Sequence, residues 1–397
     1  MNSKILIYRY NSICEPPVIR AFKTIGFEVD EITAEMTDKS ITPSQCMKMV
    51  SDKLSRDNYV AVFSVNFYPT ISEVCQIYKI PNIAWTVDCP VMELYSDSLR
   101  NNFNRIFLFD YAQYEEFYHM NPECIFYLPL AADVNEYDKI ICQAHKNCRM
   151  DEGSNSYISD VSFVGSLYSE KCSYNRAKNM PDYLKGYLEG LMKCQSVVYG
   201  CNFLTEVITE ELALEYGKYG KMYNFPEKTT KNHIASLAHN VLSYKIAEME
   251  RIRLLGLISQ RFSVDLYTYS NTSMLPKVHN KGGADTFTEM PLIFNHSKIN
   301  LNFTLRAIQT GLPLRIWDIM GCGGFVLTNY QQEIPEYFEI GKEIEVFTSE
   351  EEMLSKIDYY LKHEEERRAI SENGYKKVRE MHTWVNRIAK MMELVFK

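Results

Sequence analysis

The 397-residue chain carries 43 Lys and Arg against 51 Asp and Glu, a formal charge of -8 at pH 7, and no basic cluster, which argues against a nucleic-acid scaffold. No apolar run approaches the roughly 20 residues that span a bilayer, and the eleven cysteines are odd in number and scattered. A soluble cytoplasmic protein with reduced thiols is expected, built as two domains because a single core rarely grows past about 250 to 300 residues.

In the first third, short apolar runs recur at Ile5 to Tyr8, Val60 to Val65, Ile83 to Val87, Ile106 to Phe109 and Ile125 to Leu130. Helical patterns such as Val18 to Ile25 and Ile71 to Tyr78 lie between them. Continuous apolar strands alternating with helices predict a parallel sheet covered on both faces, a Rossmann-like domain over 1–135. Residues 136–157, rich in charge, Asn and Ser, read as a linker. Cys142, His145 and Cys148 have a spacing compatible with zinc, but no fourth ligand is evident and no metal is expected.

A second strand series runs through Val161 to Val164, Val264 to Thr268, Ile299 to Phe303, Phe325 to Thr328 and Ile344 to Phe347. It predicts a second Rossmann-like domain over 158–380, with a helical insertion at about 182–260. Ser349 and Glu352 form a capping-box pattern ahead of the stripe Met353, Leu354, Ile357 and Leu361. A last helix over 381–397 is expected to pack back towards the N-terminal domain.

The richest stretch is Leu314 to Asn329, LRIWDIMGCGGFVLTN. Pro313 suits a first helical turn, whose unpaired N–H groups can meet an anion, and Gly321, Gly323 and Gly324 end the helix ahead of a buried strand. This stretch lies within PLRIWDIMGCGGFVLTNYQQEIPEYFEIGKEIEVF, which resembles the C-terminal signature of CgeB-like bacterial glycosyltransferases of the GT-B fold. The segments VFSVNFYPTISEVCQIYKIPNIAWTVDCPVMELYS, LPLAADV, DVSFVGSLYSEK and MPLIFNHSKINLNFTLRAIQTGLPLR resemble the same group, so the likeness covers nearly the whole chain in order. It implies an α/β GT-B architecture, two Rossmann-like domains facing a cleft, and transfer of a sugar from a nucleotide-diphosphate donor, expected to be UDP-linked, to an unidentified acceptor.

Ligands of open α/β sheets sit beyond the carboxyl ends of the strands, which selects the residues just after each apolar run. In the second domain these are Gly165 and Ser166, then Thr304 and Arg306. With Thr310, Gly311, Arg315, Asp318, Gly323 and Gly324 they form the expected nucleotide-sugar set. Asp318 occupies the place where the resemblance implies a ribose-binding acid, usually Glu; its alternative is a helix pair with Arg315. The companion acid of that pattern falls at Thr310. Arg306 and Arg315 are candidates to neutralise the diphosphate as it leaves. In the first domain Asp88 is the candidate catalytic or acceptor-orienting group, with Asn66, Tyr68 and Trp85 shaping the acceptor side; the alternative for Asp88 is a turn residue before Cys89 and Pro90.

No Asp-X-Asp triplet occurs, so metal-independent catalysis is expected, and no Gly-X-Gly-X-X-Gly follows the first strand, which disfavours a nicotinamide cofactor. Two further readings stay open: a sugar-nucleotide epimerase or hydrolase, and a non-catalytic nucleotide-sugar or glycan-binding module.

Overall fold

The structure, a computed structural model, describes residues 3–148 and 157–397, which form two compact units. Unit 1 comprises Met1–Leu130, Asn224–Asn232 and Thr383–Lys397; unit 2 comprises Ala131–Tyr223 and His233–His382.

Unit 1 is a sheet of β1 (Lys4–Tyr8), β2 (Glu28–Ile32), β3 (Ala61–Val65), β4 (Asn82–Trp85), β5 (Asn104–Leu108) and β6 (Ile125–Tyr127), in the order β2-β1-β3-β4-β5-β6. Every pairing is parallel. The central strands β3 and β4 are buried at every residue, as a sheet covered on both faces requires. Its helices include α1 (Glu15–Thr24), α2 (Pro43–Leu54), α3 (Pro69–Tyr78) and α4 (Tyr111–Tyr118). Their starts follow the sequence: Thr42 caps α2 in a capping box with Gln45, and Asp110 accepts from Ala112 N at the start of α4. The edge strand β2 carries charge, which is why its sequence has no apolar run. Residues 224–232, read from sequence as part of the helical insertion, add a short antiparallel bridge, Thr229 to Ser96.

Unit 2 is a second parallel sheet: β7 (Ser159–Val164), β8 (Val264–Tyr267), β9 (His279–Gly282), β10 (Ser297–Asn302), β11 (Val326–Asn329) and β12 (Glu345–Phe347), ordered β12-β11-β10-β7-β8-β9. Its helices include α5 (Val134–Cys148), α6 (Asp182–Ser196), α7 (Ser243–Ile258), α8 (Met290–Asn295), α9 (Leu314–Gly321), α10 (Glu350–Lys362) and α11 (Glu364–Met381). Helix α5 thus occupies the first part of the stretch read as a linker; residues 149–156 lie outside the described ones. The main core interleaves Val161, Phe163, Leu266, Leu301 and Leu327 of the sheet with Leu254, Ile258 and Ile357 of the helices. A satellite core holds the insertion together through Leu184, Leu188 and Met192 of α6 and Leu237, Leu242 and Ile246.

The chain ends in α12 (Trp384–Val395), again part of unit 1. Thr383 caps it in a capping box with Asn386, and the stripe Trp384, Ile388, Met391, Met392 and Val395 is buried. Among the described residues no helix is long and apolar enough to cross a membrane.

The passage from α9 to β11 is tightly built. Gly323 has φ 71°, the left-handed region, while a Cβ on Gly324 would lie 2.7 Å from Phe294 O and 2.8 Å from Asn300 Nδ2. The two glycines are needed for different reasons. Gly323→Ala meets nothing nearer than 3.6 Å and should cost about 1–2 kcal/mol of backbone strain, whereas Gly324→Ala must push backbone aside and should cost about 3 kcal/mol. Denaturant titration of both variants checks the ordering; equal losses would contradict it.

Candidate functional site

In unit 2 the chain leaves β7 towards β8 on one side and returns through β10 on the other. The crevice outside the carboxyl ends of β7 and β10 is therefore a topological switch point, the place where open α/β sheets bind ligands. The loop after β7 supplies Gly165 and Ser166, and the loop after β10 supplies Thr304 and Arg306.

A residue that the sequence reading missed joins them. Arg251, from α7, donates from Nη1 to Ser166 O at 2.5 Å and from Nη2 to Phe303 O at 2.7 Å. Its guanidinium lies 4.4 Å from the Tyr168 ring centre. Arg306 donates from Nη2 to Glu250 Oε1 at 2.8 Å, beneath the Tyr199 ring at 4.5 Å. All three charged side chains are buried: Arg251 is 8 %, Arg306 4 % and Glu250 1 % exposed. Burial pushes the Glu250 carboxyl above its usual range, and the adjacent Arg306 pulls it back. The Nε atoms of Arg251 and Arg306 are both buried without a hydrogen-bond partner.

The rest of the crevice is pinned. Thr304 N donates to Asn329 Oδ1 at 2.7 Å, and Asn202 Nδ2 donates to Arg306 O at 2.6 Å. Ser166 Oγ donates to Glu170, while Leu167 N and Glu170 are tied to Ser270 after β8. Lys171, exposed in the loop after β7, is a further cation that sequence reasoning passed over.

The other expected nucleotide residues are placed differently. Thr310 donates to Glu333 Oε1 at 2.7 Å and Gly311 O accepts from Gln331 Nε2 at 3.1 Å, so the approach to α9 is tied to the loop after β11. Gly323 and Gly324 precede β11, at its amino end, and serve the chain passage there rather than the carboxyl-end crevice. Arg315 makes the helix pair, Nη1 lying 3.6 Å from Asp318 Oδ2, and its guanidinium stands 5.3 Å from the Phe294 ring centre. Asp318 is buried and accepts from the Tyr137 hydroxyl at 2.7 Å. This carboxylate thus meets a tyrosine of α5 and an arginine one turn away.

In unit 1 the crevice lies between β1 and β3. Asn66, at φ 60°, donates to Asp88 Oδ2 at 2.7 Å and the Tyr10 hydroxyl at 2.9 Å, and its Oδ1 accepts from Val87 N at 3.0 Å. Tyr68 packs at a tilt against Tyr8 and Tyr10, and its hydroxyl donates to Glu35. Asp88 is exposed, so three of the four expected residues share this edge. Trp85 does not: fully buried, it donates from Nε1 to Leu128 O at 3.2 Å and meets Trp384 edge-on at 5.0 Å. Among the described residues no group of three or more His, Cys, Asp or Glu is arranged to hold a metal ion.

Residues 240–393, which include Glu250, Arg251 and Arg306, match a family model described as glycosyl transferase-like. A search of curated proteins returned no match. Among solved structures, sucrose-phosphate synthase of Thermosynechococcus elongatus aligns with TM-score 0.55 at 10 % identity, covering 99 % of this chain and 98 % of that one. A glycosyltransferase of Rickettsia africae aligns with TM-score 0.54 at 8 % identity, covering 99 % and 98 %. HepE of Anabaena, in complex with UDP and glucose, aligns with TM-score 0.50 at 11 % identity, covering 99 % and 100 %. At these identities the likeness is one of fold, and that fold is GT-B. The class the fold defines is thus GT-B, and the second half of the chain carries the match to the glycosyl transferase-like model.

Burial raises the Asp318 carboxyl from an ordinary 3.8 to about 6, against the opposing pull of Arg315 and Tyr137. A carboxyl harder to ionise in the native than in the unfolded chain contributes stability that is fully present below about pH 4 and lost as pH rises through 6. Asp318→Asn keeps the volume and removes the titration. The stability of the variant relative to wild type should therefore rise between pH 4 and pH 7, by on the order of 3 kcal/mol. Denaturant titrations across that range test this, and a difference that stays constant with pH contradicts it.

Proposed function

We propose that the chain transfers a sugar from a nucleotide-diphosphate donor, UDP-linked, to the hydroxyl of an acceptor, without a metal ion. The observation that carries this reading is the crevice of unit 2, where two buried guanidiniums face one carboxylate at the carboxyl ends of β7 and β10. That excess of positive charge, inside a span matched by a glycosyl transferase-like family model, calls for an anion. UDP is the first choice because a neighbour of the same fold is a complex with UDP and glucose.

As the bond to the sugar breaks, positive charge develops on the sugar and negative charge on the departing diphosphate. Donors already fixed in place stabilise that separation without reorganising at the moment of reaction. Arg306 supplies this in our reading, while the backbone after Gly165 frames the site. The unit 1 crevice takes the acceptor, with Asp88 accepting the proton of the attacking hydroxyl and Asn66 and Tyr68 orienting it.

A thermal-shift screen of nucleotide sugars identifies the donor, since a ligand bound to the native state alone stabilises it by RT ln(1 + [L]/Kd). UDP-sugars should raise the melting temperature; no response to any nucleotide sugar would overturn the donor reading. With the donor known, Arg306→Ala should lower kcat by about 100-fold or more and change the Kd of UDP far less. Equal losses in both would make Arg306 a ground-state binding residue. EDTA should leave turnover within about twofold of the untreated rate; abolition by EDTA with recovery on manganese would contradict metal independence.

A further inference from the structure

We infer that Glu250 is a positioning residue of this reaction: it holds Arg306 in the orientation from which the guanidinium meets the donor diphosphate. The inference rests on the diphosphate reading above and deepens it.

Arg306 follows a strand end, where an arginine side chain is long and free to rotate, yet here it is fixed on several sides. Glu250 takes Nη2 at 2.8 Å, Tyr199 covers one face at 4.5 Å, and Asn202 holds the Arg306 carbonyl at 2.6 Å. Tyr199 is itself braced edge-on against Phe347, 5.5 Å away, at the end of β12. The arrangement uses one bond to the carboxylate, whereas an arginine optimised for a structural ion pair takes a bidentate fork. Nε is left buried and unpartnered, although an unmade bond in such a place is costly. Arg306 is therefore anchored to protein through Nη2, while its buried Nε makes no hydrogen bond.

The charge balance points the same way. Glu250 sits beside Arg251 on α7 and faces Arg306, and Arg253, one turn of sequence further on, is in contact with Glu350 instead. One carboxylate thus stands against two buried guanidiniums, of which Arg251 is fully engaged with the carbonyls of Ser166 and Phe303. The Arg306–Glu250 pair is neutral taken alone, and with Arg251 the buried cluster of three carries one net positive charge, a setting in which an arginine receives a phosphate oxygen.

The test measures kcat, KM for the donor and Kd of UDP for Glu250→Gln, Glu250→Asp, Arg306→Ala and the double variant Glu250→Gln/Arg306→Ala, together with melting temperature. Gln keeps volume and one acceptor oxygen but loses the charge that orients the guanidinium. We expect kcat of Glu250→Gln to fall at least tenfold with the Kd of UDP within about threefold of wild type, and Glu250→Asp to recover part of the loss. The double variant should be no slower than Arg306→Ala alone, because a residue that acts through another adds nothing once the other is gone. Independent losses that multiply in the double variant overturn the inference, as does a Glu250→Gln protein with lower melting temperature and unchanged kcat. If Arg306→Ala itself leaves kcat unchanged, the diphosphate reading fails instead, and the two failures are distinct.

Discussion

The structure depends on the parallel pairing of β7 with β10, strands far apart in sequence that lie side by side at the centre of unit 2. Because the chain departs from them in opposite directions, a crevice opens at their carboxyl ends, and the backbone groups there lose the ladder partners they had inside the sheet. Buried carbonyls need donors. Arg251 answers for two of them at once, Ser166 O and Phe303 O, and so brings a positive charge into the crevice for a structural reason. Unit 1 meets the complementary need with a neutral group: Asn66, in the left-handed region, accepts from the Val87 N–H through Oδ1 and donates to Asp88. The two crevices thus differ in sign, one cationic and one acidic, although both arise from the same parallel topology.

Much of this fold is legible in the sequence. A strand covered on both faces must be apolar almost throughout, and each of the ten runs read as strands is a strand, with ends shifted by a few residues. Among the described residues the two strands missed are edges. β2, Glu28–Ile32, and β9, His279–Gly282, have one neighbour each, so nothing in their environment demands a continuous apolar run, and β9 is exposed along its length. The Ser349 pattern is legible only in part: Ser349 Oγ accepts from Glu352 N, but the Glu352 carboxylate turns to Thr348.

The site is less legible, because helix-borne charges carry no positional signal. Glu250 and Arg251 fall in α7 among Glu248, Arg253 and Lys245, and a stretch that charged reads as a solvated face. The burial of these two groups follows from the packing of α7 beneath the strand ends, which no local pattern records. Trp85 shows the converse error: a residue at the end of a strand, one position from the expected edge, points into the core because strand side chains alternate, and there it meets Trp384. Asp318 was placed by resemblance, and its neighbours Tyr137 and Arg315 are known only from the folded chain.

Asp318 and the Arg251–Glu250–Arg306 cluster are both buried charges with incomplete compensation, yet they are resolved in opposite ways. A carboxylate short of partners can take a proton, and Asp318, pushed up to about 6, does so within a mildly acidic range. A guanidinium has no such recourse, since it does not give up its proton in proteins. Burial pulls Arg251 below its usual range without making it neutral at any physiological pH. The excess positive charge at the ends of β7 and β10 is therefore permanent in the unliganded protein, and the fold bears its desolvation cost continuously. An anion bound in the crevice would offset that charge, whereas a proton suffices for Asp318.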